Sequence, residues 1–223
     1  VSRGLGDVYK RQSLELPFSQ MIFGRPKLWS ILLYYVILSA GAVWLLQKKQ
    51  KKVCYLVFVF MAIFFLKRTE PKAFSVTFLD VGQGDGIVLR DDTGVTMLCD
   101  GGSSSVSNVG KYRILPYLRY HGIDRLDYVF LSHMDMDHIN GVRELLERQT
   151  CSIKIKNLVL PAIKNPDETY LEIERLAAGQ KIAVHKMREG DCICTRSMML
   201  TCLAPKAGDT CLLYTSPSPR DTE

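Results

Sequence analysis

The chain has 223 residues, which is enough for one ordinary domain with additional segments. Its seven cysteines are an odd number and are not set at zinc-finger spacings, so the sequence assigns no disulfide and no cysteine metal site. The formal net charge of +6 comes partly from basic residues beside two apolar runs, so charge alone does not indicate a nucleic-acid-binding protein. The mean hydropathy of +0.04 averages an apolar N-terminal part with a more polar remainder.

Two uncharged runs predict a membrane region over residues 13–72. Residues 28–46 carry no charge, and their number is close to the roughly 20 residues that a helix needs to cross a bilayer. Residues 53–66 are also uncharged, but a helix of that length reaches only about 21 Å, less than the hydrocarbon core of about 30 Å. Flanking lysines can extend this second helix by snorkelling, whereas a re-entrant or surface-lying helix is the alternative.

The loop at 47–52 contains four lysines, which indicates a cytoplasmic loop. If both runs cross the membrane, everything after residue 66 lies outside the cell. The two ends of the chain, 1–12 and 211–223, lack the features of folded protein and resemble translated sequencing-adapter tails. We therefore expect that they are not native and that the natural protein continues past both ends.

From residue 73 the pattern changes to that of an α/β domain, which we expect over 73–210. Alternating apolar residues predict short strands, and helices are expected between the later ones. Gly122 is placed to act as the C-cap of the first of these helices. The predicted strands are 74–79, 87–90, 95–99, 126–131, 155–160, 182–185, 192–194 and 197–203, and the predicted helices are 114–121, 139–148 and 166–178.

Four potential metal ligands follow the predicted strand 126–131 within six residues, namely His133, Asp135, Asp137 and His138. Imidazole nitrogens and carboxylate oxygens are ligands that Zn²⁺ and similar ions accept. Ligands two positions apart can converge on one ion, while the adjacent Asp137–His138 pair points elsewhere and can serve a second. The alternative is that these residues have only core and capping roles, but their burial without a partner is costly. The pattern therefore predicts a two-metal hydrolytic site.

Two glycine-containing stretches accompany this motif. Residues 79–85 form either a tight hairpin or a loop whose backbone approaches a neighbouring group closely, and the residues alone favour neither. Asp100, followed by two glycines, is either a turn cap or a group that orients a ligating histidine. His121 and His185 have no metal-ligand spacing and are expected to be structural or exposed. Three further aspartates are expected to support the ligands or to have structural roles: Asp80, Asp85 and Asp100.

Taken together, residues 78–85, 98–102 and 131–141 resemble the metallo-β-lactamase fold. More narrowly, they resemble the C-terminal domain of the ComEC family of DNA-internalisation competence proteins, in which such a domain follows a multi-span membrane channel. The resemblance covers roughly residues 28–205. It implies an α/β fold, namely the first half of a metallo-β-lactamase-like αββα sandwich, preceded by one or two transmembrane helices.

The resemblance also implies roles for the motif residues. His133 and Asp135 would belong to one metal site, and Asp137 and His138 to the other, with Asp137 as the catalytic residue. The wider superfamily usually has a histidine where this chain has Asp135, and the aspartate matches the ComEC-like subgroup. With one nitrogen ligand fewer, Mn²⁺ is expected beside Zn²⁺ as a candidate, with two ions in the complete domain.

The function implied by the resemblance is that of a multi-pass bacterial membrane DNA-uptake protein with an extracytoplasmic nuclease or phosphodiesterase domain. DNA, the membrane and other competence proteins are its expected partners. Two alternatives stay open: an anchored metallo-hydrolase of a small ester or cyclic dinucleotide, and a transporter domain that only guides DNA. Because the family draws further ligands from the second half of the fold, we expect this 223-residue chain to be inactive alone.

Overall fold

The structure is a computed structural model and describes residues 22–48, 53–66, 73–147 and 153–206. The predicted tails at 1–12 and 211–223 lie outside these residues. The chain divides into two compact units, the first containing Val1–Glu70 and Tyr117–Asp124 and the second containing Pro71–Pro116 and Arg125–Glu223.

The first unit contains two apolar helices, α1 (Leu28–Lys48) and α2 (Val53–Leu66). They pack closely at Gly41, where an added Cβ would lie 2.7 Å from Cγ of Phe58. The indole of Trp44 lies beside the same phenylalanine, with 5.8 Å between the ring centroids. A glycine at this position lets the second helix approach without a steric clash.

Large apolar side chains point outward from both helices, including Leu32, which is 68% exposed, and Phe64, which is 75% exposed. Among the described residues, Leu28–Gln47 is the one helix that is long and apolar enough to cross a membrane, judged by length and composition. The apolar helix Tyr55–Leu66 is shorter. A second membrane crossing therefore stays a prediction.

The second unit contains a six-stranded sheet in which each strand pairs with the next one along the chain, in the order β1-β2-β3-β4-β5-β6. The first three strands are antiparallel, and β3 to β6 are parallel. A separate antiparallel pair, β7 and β8, follows. The strands are β1 (Ser75–Phe78), β2 (Ile87–Arg90), β3 (Thr96–Cys99), β4 (Arg125–Phe130), β5 (Lys154–Pro161), β6 (Ala183–Met187), β7 (Cys192–Cys194) and β8 (Met199–Thr201).

Helices connect the parallel strands. A π-helical turn (Gly110–Ile114) runs directly into α3 (Leu115–Tyr120), and α4 (Met136–Glu147) and α5 (Glu168–Gly179) follow β4 and β5. Because parallel connections are right-handed and the strand order advances by one position each time, α4 and α5 lie on the same face of the sheet. Their buried residues form apolar stripes at helical spacing, namely Ile139, Val142, Leu145 and Leu146 in α4, and Tyr170, Ile173 and Ala177 in α5.

The predicted α/β architecture is confirmed, with differences at the ends of elements. The predicted helix at 114–121 is preceded by the π-helical turn that starts at Gly110, where the sequence predicted no helix. The helix predicted to start at Ile139 starts at Met136, because the backbone amides of His138 and Ile139 already donate to the carbonyl of Asp135. The last predicted strand, 197–203, shortens to Met199–Thr201.

A buried carboxylate joins the turn between β2 and β3 to the β7–β8 pair. The Asp91 carboxylate accepts hydrogen bonds from the Thr93 amide at 2.9 Å and hydroxyl at 2.7 Å, and from the Val95 amide at 2.8 Å. It also accepts from the hydroxyls of Thr195 at 3.0 Å and Ser197 at 3.2 Å. Burial opposes ionisation, but these donors outweigh it and lower the pKa of Asp91 to about 2.

Candidate metal centre

The two predicted histidine ligands and the predicted supporting residue Asp100 lie at the C-terminal edge of the parallel strands. Asp100 follows β3, His133 follows β4, and His138 lies in the first turn of α4. Neighbouring parallel strands end at the same edge of a sheet, so residues far apart in sequence meet there. The backbone amide of Asp100 donates to the carbonyl of Phe130 at 2.8 Å, which fixes the end of β3 beside the end of β4.

Glycines let three backbone segments converge at the start of α4. The amide of Asp85 donates to the carbonyl of Asp137 at 3.3 Å. The amide of Gly101 donates to the carbonyl of His138 at 2.8 Å. A Cβ at Gly84 would overlap the carbonyl of Asp137, and one at Gly102 would overlap the amide of His138. The glycine-containing loop is therefore a close-approach element, which decides between the two roles that the sequence left open.

One cluster of potential ligands forms around His138. Its Nδ1 lies 3.0 Å from Oδ2 of Asp100 and 3.7 Å from Oδ2 of Asp85. Ligand atoms of these three residues all lie within 4.8 Å of one another, a spacing that can hold a metal ion. The His138 and Asp100 side chains are largely buried, at 15% and 12% exposed, whereas the Asp85 side chain is 63% exposed.

A second pair of potential ligands lies beside the first cluster. Nε2 of His133 is 3.5 Å from Oδ2 of Asp135. The ring centroids of His133 and His138 are 3.8 Å apart, so the two imidazoles are immediate neighbours. The structure thus brings together His133, Asp135 and His138 of the predicted set, with Asp85 and Asp100 beside them.

Asp137 and Asp80 differ from the other predicted residues. Asp137 is half-buried at the start of α4, and its carboxylate makes no hydrogen bond or ion pair with the residues that the structure describes. Asp80 lies on the surface, with its side chain 85% exposed and 3.5 Å from the guanidinium of Arg113. Among the predicted supporting aspartates, Asp85 and Asp100 therefore face the cluster, whereas Asp80 pairs with a surface arginine.

The donor set fits a divalent metal ion. Two imidazoles and several carboxylates converge at one edge of the sheet, and this mixture of nitrogen and oxygen ligands suits Zn²⁺ and Mn²⁺. Carboxylates crowded together repel one another unless a cation or a protonated partner lies between them. The residues present are therefore consistent with the metal that the motif predicts.

Sequence reasoning did not assign a role to Ser132 or to a neighbouring cavity. Ser132 directly precedes His133 and contacts both Asp100 and that histidine. The signal in the sequence that could have found Ser132 was its position directly before His133, a predicted metal ligand.

A cavity of about 230 Å³ adjoins the site and is walled by Asp100, Ser132 and mainly apolar residues including Phe130. Cys99 also lines it, and burial together with the nearby Asp100 charge raises the pKa of this thiol to about 11.

Residues 79–188 match the family model described as "Metallo-beta-lactamase superfamily". The chain is also 29% identical over 150 residues to "ComE operon protein 3" of Bacillus subtilis (strain 168). That alignment covers 60% of this chain and 18% of the relative, so the chain spans less than a fifth of the length of that protein. The observed central sheet and helices form a mixed α/β structure, which is consistent with the metallo-β-lactamase fold of this family model.

Proposed function

We propose that this chain is part of a membrane DNA-uptake protein in which the metallo-β-lactamase-type domain hydrolyses phosphodiester bonds with the help of divalent metal ions. The observation that carries the proposal is the convergence of His133, His138 and carboxylates at the C-terminal edge of the sheet. The resemblance to the ComEC family and the similarity to ComE operon protein 3 support DNA as the substrate.

The residues divide into ligands and supporting groups. His133 and Asp135 would hold one ion, and Asp137 and His138 the other. When bound, divalent ions activate water and offset the charge on phosphate oxygens. Asp137 has a carboxylate that no described residue engages, so it can also accept a proton from the attacking water. Asp85 lies close enough to His138 to contribute a further oxygen.

The helix α1 supports a membrane location. It is long and apolar enough to cross a bilayer, and its large apolar side chains point outward. The lysines at 48–52 support a cytoplasmic position for the loop after this helix. If α2 also crosses, the metallo-β-lactamase-type domain would lie outside the cell. Multi-pass insertion and this orientation are part of the proposal.

The experiment has two parts. Isothermal titration of the 223-residue chain with Zn²⁺ and Mn²⁺ measures whether the site binds metal. Cleavage of labelled DNA by the complete gene product, as wild type and as His138→Ala, measures whether the site hydrolyses phosphodiesters. Metal binding and cleavage that both disappear in the variant support the proposal, whereas cleavage that survives His138→Ala refutes the assigned role.

The cavity beside the site favours one alternative function. Its walls are mainly apolar, and such a pocket suits a small ester better than a charged DNA backbone. Comparing DNA with p-nitrophenyl esters as substrates of the same protein distinguishes the two. Faster hydrolysis of the esters, with no cleavage of DNA, would favour the anchored small-molecule hydrolase.

A further inference from the structure

Ser132 connects the two histidines through the Asp100 carboxylate. Its backbone amide donates to Oδ1 of Asp100 at 2.8 Å, and its hydroxyl lies 2.7 Å from Oδ2. The same hydroxyl lies 2.9 Å from Nδ1 of His133. Oδ2 of Asp100 also contacts Nδ1 of His138 at 3.0 Å. One carboxylate and one hydroxyl therefore engage Nδ1 of both imidazoles.

The positions of the protons in this network follow from counting donors. An ionised carboxylate only accepts hydrogen bonds, so the single hydroxyl proton of Ser132 must point to Asp100. The hydroxyl oxygen can then only accept from His133, which requires the proton of a neutral His133 ring to be on Nδ1. Nε2 of His133 consequently carries a lone pair. The opposite tautomer would leave two acceptors, the hydroxyl oxygen and Oδ2, facing each other at 2.7 Å.

The free lone pair on His133 faces another acceptor. Oδ2 of Asp135 is 3.5 Å from Nε2, and no proton lies between them in this tautomer. Two acceptors at that separation repel each other weakly in the absence of a cation and bind a cation between them favourably. The network thus prepares Nε2 of His133 and Oδ2 of Asp135 as a pair of metal-binding atoms.

We propose that Ser132 is a positioning residue that holds His133 in the Nδ1-protonated tautomer, with Nε2 available to metal. This inference rests on the metal centre of the proposed function and extends it to a residue outside the predicted ligand set. Hydrogen-bond partners of ligating histidines fix ring orientation and tautomer, and their loss typically weakens metal binding by about 10–100-fold.

The test compares Ser132→Ala, Ser132→Thr and Ser107→Ala in the full chain. Ser132→Ala removes the hydroxyl and Ser132→Thr keeps it. Ser107 is an exposed serine that makes no hydrogen bond to the described residues of the site. The chain has four histidines, so ¹⁵N chemical shifts of the imidazoles, assigned with single histidine variants, report the tautomer of His133 without metal. Competition with a chromophoric chelator gives the affinity for Zn²⁺.

We expect Ser132→Ala to shift His133 toward the Nε2-protonated tautomer and to weaken Zn²⁺ binding by about 10–100-fold. Ser132→Thr and Ser107→Ala should leave the ratio of the two His133 tautomers and the affinity for Zn²⁺ within about twofold of wild type. An unchanged tautomer in Ser132→Ala overturns the inference, whatever the complete protein does to DNA. If the tautomer shifts but wild type binds no Zn²⁺, the role of Ser132 in setting the tautomer stands and the metal centre of the proposed function fails.

Discussion

Replacing Asp91 with asparagine should loosen the contact between the β2–β3 turn and the β7–β8 pair. The folded state lowers the pKa of Asp91 from its ordinary value of 3.8 to about 2. Since one pKa unit corresponds to about 1.4 kcal/mol, the ionised carboxylate contributes about 2 kcal/mol to the free energy of unfolding. Asparagine keeps one acceptor oxygen but loses the charge, so we expect up to that full amount to disappear.

Hydrogen–deuterium exchange with mass spectrometry of the full chain in detergent measures this loss where it occurs. Peptides covering 87–99 and 192–202 should exchange up to about 30-fold faster in Asp91→Asn at pH 7, since about 2 kcal/mol corresponds to that factor. Asp92→Asn, at the exposed neighbouring position, is the matched control and should leave exchange unchanged.

The comparison of wild type with Asp91→Asn also predicts how the stabilisation by Asp91 changes with pH. Because folding lowers the pKa of Asp91, its stabilising contribution is complete above about pH 4 and disappears as pH falls through about 2. The difference in protection between wild type and Asp91→Asn should therefore be large at pH 7 and small at pH 2, with longer labelling times at low pH. A difference that is equally large at both pH values would refute the electrostatic argument.

Three further predictions concern the site and its surroundings. His138→Ala should weaken Zn²⁺ binding to the chain by at least 10-fold in a chelator competition, because it removes a nitrogen ligand, and unchanged affinity would contradict the assignment. Gly84→Ala should destabilise the second unit by about 2–4 kcal/mol in urea unfolding followed by exchange, since its φ of +152° and its contact with Asp137 exclude a Cβ. Gly179→Ala, where an added Cβ meets nothing within 4 Å, is the control and should not destabilise. Cys99 should react with iodoacetamide far more slowly at pH 8 than exposed Cys192, because the pKa of Cys99 is raised to about 11. Equal reaction rates of the two cysteines would contradict the burial of Cys99 beside the Asp100 charge.

Strand positions were the part of the fold that the sequence predicted best. The predicted strand at 87–90 is confirmed in full, and the strand before the metal motif differs by one residue at each end. In the parallel part of the sheet, apolar runs bounded by turn residues report burial directly, so their pattern is a local signal. The order of the strands in the sheet is a tertiary property, and the sequence alone indicated only strands alternating with helices.

Helix starts were predicted less well, because they depend on hydrogen bonds rather than on apolar periodicity. The first turn of α4 contains Asp137 and His138, two polar residues that precede the helix predicted at 139–148. The sequence predicted a supporting or structural role for Asp85, but it did not predict the contact of Asp85 with His138, because 53 positions separate them. The packing of Gly84 and Gly102 against the helix start brings the two residues together.

The contacts of Asp91 have a consequence for the order of events during synthesis. Thr195 follows Asp91 by 104 positions, and a ribosome adding about 5–20 residues per second needs about 5–20 s to make that length. During this interval only the local donors of Thr93 and Val95 are available to the carboxylate. These local hydrogen bonds can therefore close the β2–β3 turn before the β7–β8 pair is made, and the Asp91 carboxylate is then already in position to accept from Thr195 and Ser197 when that pair emerges.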